Sequence, residues 1–282
     1  MSAADRPHDD DTPWYFEPLG GLRFAPSAHV GGGWNPREQH IAPAFGLLTH
    51  LIERHRDQRR DDGLVLGRLC FDIHGVLPMA PFEVELEVIR PGRTIERVEA
   101  RIVHGGRTAV VLHAWLLART DTAALAGTPE PPLPAPEQLP PWDFGSVWPG
   151  GFVRSVRARR REQAPGRCVF WVDTDVALLQ GETVSPTARL LGLVDIANGA
   201  TPRVAPERAV FPNLDLTAHL LRAPVGAWIG FDTSVSFGPD GIGLTHSWVH
   251  DERGLVGTVS QCLTVRPVAV QPGRSYKGAR RV

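Results

Sequence analysis

A proline-rich break divides this chain into two segments that read alike. Residues 120–150, TDTAALAGTPEPPLPAPEQLPPWDFGSVWPG, hold eight prolines. Proline removes a backbone donor and clashes inside helices, so the stretch is a linker or an extended surface strap. Before it, residues 82–90 (FEVELEVIR) alternate at period two, with Phe82, Val84, Leu86 and Val88 on one face and Glu83, Glu85 and Glu87 on the other. That is the pattern of a half-buried strand. Pro91-Gly92 supplies a turn into 95–103, and Gly105-Gly106 a hairpin turn into 108–119. After the break, apolar runs at 226–237, 242–250 and 255–266 are separated by turn residues at 238–241 and 251–254. Each half therefore ends in an antiparallel meander.

One helix candidate precedes each meander. The first follows Asn35-Pro36 and runs through HIAPAFGLLTHLIERHRDQ; the second follows Ser185-Pro186 and runs TARLLGLVDIANG. Asn or Ser as N-cap with Pro at the first helical position is a start signal. Between helix and meander lies a further apolar strand, at 64–75 and at 208–221. Aligning Gly46 with Gly192, Phe71 with Leu214 and Leu116 with Leu263 gives offsets of 146, 143 and 147 residues. The predicted class is α+β: one apolar helix wrapped by a curved antiparallel sheet, made twice. The expected divisions are a disordered leader over 1–13, a first unit over 14–119, the linker over 120–150, a second unit over 151–267 and a flexible basic tail over 268–282.

Composition narrows the function. Thirty Lys and Arg stand against thirty-one Asp and Glu, a net charge of −1 with a pI near 6.8. Such a balance gives no general electrostatic reason to hold nucleic acid. No apolar run is long enough to span a membrane. Three separated cysteines with no C-x-x-C pair, and an N-terminus without an apolar leader segment, lead us to expect a cytoplasmic protein. The H-E-x-x-H, G-x-S-x-G and phosphate-loop patterns are absent. The histidines lack partners at metal-ligand spacing, so neither a metal nor a bound cofactor is expected.

Residues 211–267 carry a more specific signal. They contain L-D-L-T-x-H-L-x-R-x-P, then G-A-W-I-G, a D-E-R-G turn and an S-Q-C-L-x-V-R-P ending. This tract resembles the C-terminal half of the acyl-CoA thioesterase II family, whose members are double hotdogs. The resemblance implies hydrolysis of an acyl-CoA or acyl-carrier thioester. It further implies that an Asp on the second helix, a Thr or Ser on the next strand and a Gln on the last strand hold the attacking water. By position these are Asp195, Asn213 and Gln261. Asn213 departs from the family pattern, offering an amide where the family has a hydroxyl.

The residues support the same chemistry. Thioester hydrolysis needs an activated water and donors for the developing oxyanion. Asp195 lies in an apolar helical stretch, where a carboxylate is costly unless it is hydrogen-bonded or acts on a substrate. Gln261 interrupts the apolar pattern of Val256, Val259, Leu263 and Val265. Gly32, Gly33 and Trp34, in a glycine-rich turn before a helix, are candidates to meet the thioester through backbone N–H groups. Thr217 and His219 are second-choice site residues from their nearness to Asn213. In the first half, counting along the alignments sets Thr49, Cys70 and Ala114 opposite the three site residues, so one site per chain is expected. Exposed edge strands point to a homodimer or higher homo-oligomer. Two alternatives remain open: a binding protein of the same fold without turnover, favoured by Asn213, and an enoyl-thioester hydratase or dehydratase. The second helix lacks the His which that last chemistry wants.

Overall fold

The computed structural model describes residues 13–268. In chain order it contains β1 (Trp14–Pro18), β2 (Arg23–Pro26), α1 (Ile41–Arg59), β3 (Val65–Ile73), β4 (Phe82–Arg90), β5 (Ile95–His104) and β6 (Arg107–Leu117). Then follow β7 (Pro141–Trp142), α2 (Gly151–Arg154), β8 (Arg157–Ala164), β9 (Arg167–Asp173), β10 (Ala177–Leu179), α3 (Pro186–Leu191) and α4 (Ala197–Ala200). The chain ends in β11 (Ala209–Val210), β12 (Asp215–Leu220), β13 (Ile229–Phe237), β14 (Ile242–Asp251), β15 (Gly254–Thr264) and β16 (Arg266–Pro267). Fourteen strands form one sheet in the order β10-β1-β2-β4-β5-β6-β3-β12-β15-β14-β13-β9-β8-β7, with β11 and β16 pairing separately. Apart from the parallel β1–β10 pair, the ladders are antiparallel. The expected α+β class holds.

The sheet is strongly curled. β9 ends at Asp173 and β10 begins at Ala177, so three intervening residues, at most ~14 Å of chain from strand to strand, join opposite regions of the strand order. The Tyr15 hydroxyl, at one end, meets Ser155 Oγ at 2.7 Å and Thr174 Oγ1 at 3.2 Å. Inside the curl, α1 is buried at every position from 42 to 52. Only a helix enclosed on most sides can be apolar all round; its last turns carry Arg56 into an ion pair with exposed Asp57 and Arg59 into one with buried Glu96. α3 crosses α1 at two glycines. A Cβ on Gly46 would lie 2.8 Å from both Ala188 O and Gly192 Cα.

The internal repeat is strand for strand. β4 and β13 begin at 82 and 229, β5 and β14 at 95 and 242, and β6 and β15 at 107 and 254. Each pair has equal length and an offset of 147 residues. At the centre of the sheet β3 pairs antiparallel with β12, Cys70 opposite Thr217. Ladder register also corrects one alignment. Leu66, not Cys70, stands 147 residues before Asn213, because Ala114 pairs with Leu69 as Gln261 aligns with Leu216.

Three local expectations differ from the structure. The first helix starts at Ile41, because Asn35 is used in a turn: its Oδ1 accepts from Arg37 N and its Nδ2 donates to Glu38 Oε1. His40 caps α1 instead, Nδ1 accepting from Ala42 N at 3.2 Å. The second helix begins as expected, with Ser185 as N-cap and Pro186 in the first turn. It then breaks at Gly192, where the crossing on Gly46 lies, and resumes as a 3₁₀ turn over Val194–Ile196 and as α4. The strand expected over 208–221 is interrupted between β11 and β12, where Pro212 has no N–H to give a ladder. The expected leader and basic tail lie outside the described residues, except Pro13 and Val268.

Candidate active site

The interruptions in helix and strand meet at one place. Asp195 sits on the 3₁₀ turn between α3 and α4 and is 5% exposed, with Leu193, Val194 and Ile196 buried around it. Asn213, in the gap before β12, donates from Nδ2 to Asp195 Oδ1 at 2.7 Å, and also to Asp215 O at 3.0 Å. Gln261, on the inner face of β15 and 1% exposed, donates from Nε2 to the same oxygen at 2.8 Å. The structure thus brings the three principal sequence candidates into one cluster. Both amides occupy Oδ1. Oδ2 takes no hydrogen bond from the described residues; His40 Nδ1 lies 4.0 Å from it.

Burial sets the electrostatics. Desolvation pushes the Asp195 carboxyl up to about 7, with the two amides opposing the rise and the nearby Asp215 carboxylate adding to it. Burial drives His40 the other way, down to about 3, so its ring is neutral. Because Nδ1 accepts from Ala42 N, the proton of the neutral ring is on Nε2. The ring packs on Phe152 with centroids 4.2 Å apart. A carboxylate that ionises near neutrality, with one oxygen pinned and the other open, is suited to general-base work.

A cavity of about 30 Å³ opens beside this cluster, lined in part by His40, Ile196 and Asn198. Gly33 and Trp34 also line it, Trp34 being 44% exposed. The remaining wall is shared by the proline-rich segment with Val153 and Gly199. Phe144 and Trp148 enter from that strap, and Trp148 Nε1 donates to Gly199 O at 2.9 Å. Trp34 meets Trp148 edge-on at 4.8 Å and Phe211 at 5.2 Å.

The secondary candidates separate. Gly33 and Trp34 reach the cavity. Gly32 is buried in the turn and its N–H is spent on Glu38 O at 2.8 Å, so that amide is not offered to a ligand. Thr217 and His219 are not brought to the cluster. Strand alternation puts Leu216 and Ala218 on the buried face of β12, leaving His219 exposed and Thr217 bonded to Cys70 Sγ at 3.4 Å. Sequence reasoning missed His40 and Trp148. The first has no local motif as a helix cap, and the second was absorbed into the linker. Among the described residues, no three His, Cys, Asp or Glu side chains converge as a metal site requires, and no helix is long and apolar enough to cross a membrane.

Comparison with known proteins covers both halves. Residues 30–117 match the acyl-CoA thioesterase N-terminal domain and residues 131–265 the acyl-CoA thioesterase C-terminal domain. No curated protein sequence matches the chain. Among solved structures, a protein assigned as a thioesterase II from Thermobifida fusca YX is 20% identical, with a TM-score of 0.68 over 91% of this chain and 97% of that one. A conserved protein of unknown function with a hotdog fold from Alicyclobacillus acidocaldarius is 14% identical, with a TM-score of 0.68 over 92% and 98%. Acyl-CoA thioesterase II TesB2 from Mycobacterium marinum is 16% identical, with a TM-score of 0.63 over 90% and 96%. At these identities the likeness is one of fold, the hotdog.

Proposed function

Because the chain belongs to the acyl-CoA thioesterase family, we propose that it hydrolyses acyl-CoA or acyl-carrier thioesters with a water activated by Asp195. The observation that carries this reading is the asymmetric use of the buried carboxylate: Asn213 and Gln261 both hold Oδ1, leaving Oδ2 for the water. Ionised Asp195 takes one proton from that water as its oxygen attacks the thioester carbonyl. The carbon–sulfur bond then breaks. The proton held on Asp195 passes to the departing thiolate, giving free acid and free thiol and restoring the carboxylate. The oxyanion formed on the way needs a donor, and our candidate is the N–H of the neutral His40 ring, which lines the adjoining cavity.

Asn213 does for Asp195 what a hydroxyl donor does, so the departure from the family pattern is compatible with turnover. We also read the repeat as two hotdog units, 14–119 and 151–267, joined by the 120–150 strap, with the site built by the second unit and closed by the first through His40. A free-thiol assay on acyl-CoAs of increasing length tests the function. Turnover lowered about 10²–10⁴-fold by Asp195→Asn is the expected result; tight binding of the panel with no thiol release would favour a binding protein of the same fold.

A further inference from the structure

The inner face of β13, β14 and β15 carries a buried polar patch. Thr233, Thr245 and Ser247 are each 0% exposed, and Gln261 is 1% exposed. Thr233 Oγ1 and Ser247 Oγ are hydrogen-bonded at 2.7 Å. Thr245 faces Gln261 directly across the β14–β15 ladder. Two atoms here lack a partner among the described residues: Thr245 Oγ1 and Gln261 Oε1. Buried polar atoms without partners are costly, and a function often explains them.

The internal repeat shows that the fold does not require this patch. At the 147-residue offset, Thr233, Thr245, Ser247 and Gln261 correspond to Leu86, Val98, Ala100 and Ala114. The last three are 0% exposed, and Leu86 packs against the core. One sheet geometry is thus lined with apolar groups in one half and with hydroxyls and an amide in the other. The polar set occurs only in the half that carries Asp195.

From this juxtaposition we infer that Thr245, backed by the Thr233–Ser247 hydroxyl pair, is a positioning residue that holds the Gln261 carboxamide with its NH₂ group turned onto Asp195. Side chains facing each other across an antiparallel ladder have Cβ atoms about 5 Å apart. The two unpartnered atoms are not bonded to each other directly, so the Thr245 hydroxyl reaches Gln261 Oε1 through one buried water. That bridge fixes the amide plane. Without it Gln261 would have one end satisfied by the carboxylate and the other end unsatisfied in the interior, and the plane would be free to turn. This inference rests on the proposed role of Asp195.

Thr245→Val removes the hydroxyl while keeping the shape, and Thr245→Ser restores it. With a thioester turned over by the parent protein, Thr245→Val is expected to lower kcat about tenfold with KM unchanged, and Thr245→Ser to recover it. The double variant Thr245→Val/Gln261→Ala should be no worse than Gln261→Ala alone, since both act through one contact. An activity-independent readout is the NMR titration of the Asp195 carboxyl. Losing the Gln261 donor should move it upward in Thr245→Val and leave it in place in Thr245→Ser. The other groups facing that carboxyl, His40 from the start of α1 and Asp215 from β12, are untouched by the substitution. Thr245→Ala carries the same expectations if the valine variant fails to fold. An unmoved titration with full kcat in a folded variant overturns the inference, as does a loss that serine does not repair. Full activity in Asp195→Asn would instead overturn the proposed function, and the titration would still decide what Thr245 does to Gln261.

Discussion

Replacing Asp195 by Asn should cost activity and add stability, and the added stability should depend on pH in a set direction. The carboxyl ordinarily ionises at 3.8 and here is raised to about 7. Below pH 4 it is protonated in both folded and unfolded chains, and burial exacts nothing. Between pH 4 and 7 the unfolded chain releases its proton while the folded chain keeps it, so stability falls as pH rises. Above 7 the full penalty is present. At about 1.4 kcal/mol per pKa unit the interval amounts to on the order of 4 kcal/mol. Asn resembles the neutral acid and still offers one oxygen to Asn213 and Gln261. The variant should therefore match the parent near pH 4 and exceed it by up to ~4 kcal/mol at pH 8. For a chain of this size that is a rise in melting temperature of roughly 10 °C. Turnover, measured by thiol release, should fall by about 10²–10⁴. In the parent, kcat/KM should climb about tenfold from pH 6 to pH 8 as the base ionises. Melting and urea curves at pH 4, 6 and 8 with a parallel rate profile make the test. A stability difference flat across pH would refute the raised ionisation, and retained turnover would refute the catalytic role.

Asn213→Thr exchanges one donor to Oδ1 for another, and activity should stay within about tenfold, or roughly 1.4 kcal/mol of barrier; loss of all thiol release would show that the amide is specifically needed. Trp148→Ala should widen the cavity and shift the preferred acyl-CoA toward longer chains. It should also cost about 3–5 kcal/mol of stability as a buried Trp truncation, and an unchanged chain-length profile would place the acyl group elsewhere. Gly46→Ala sets a methyl 2.8 Å from the backbone of Ala188 and Gly192, neither of which can step aside cheaply, so denaturant curves should show a loss of about 1–3 kcal/mol or more. Thiol release should survive treatment with a chelator, because the reacting groups are one carboxylate and two amides; inhibition reversed by added zinc would contradict the mechanism.

The strands were the legible part of this fold, for a physical reason. Residues 82–90 alternate cleanly because one face is core and the other solvent, and β4 has those bounds. The helices were legible only in part. α1 is apolar all round, so no polar stripe marks its start, and Asn35-Pro36 gave a false one five residues early. β1, β2 and β10 were not foreseen, since strands this short carry too few alternations to stand out. At the site, Asp195 and Gln261 stood out because each is a polar residue in an apolar pattern. Thr217 and His219 were chosen by nearness in sequence, and strand alternation sends them to the other face. His40 and Trp148 join the cluster only through the tertiary fold. His40 is 155 residues from Asp195, a separation that no local pattern spans.

The duplication explains why, among the described residues, this cluster is built in the second half and not in the first, and what it costs. At equivalent places the first half has Leu66 for Asn213 and Ala114 for Gln261, both buried. On the helices, the Gly46–Gly192 crossing sets Thr49 opposite Asp195, and the Thr49 hydroxyl is spent on Phe45 O within its own helix. On the strands, the first-half counterparts Leu86, Val98, Ala100 and Ala114 are apolar, so that inner face packs as a dry core. The second half gives up that packing at Asp195, Thr245 and Gln261, where hydroxyl, amide and carboxylate stand in an interior that its own twin fills with Val98 and Ala114. Burying such groups lowers stability unless each finds a partner. The arrangement persists because the first half, the strap and the α1–α3 crossing supply a core large enough to hold them. On this reasoning, converting Thr245 and Gln261 together to their first-half counterparts, Val and Ala, should give a more stable protein with little thiol release. A double variant less stable than the parent would show that the patch serves the fold rather than the site.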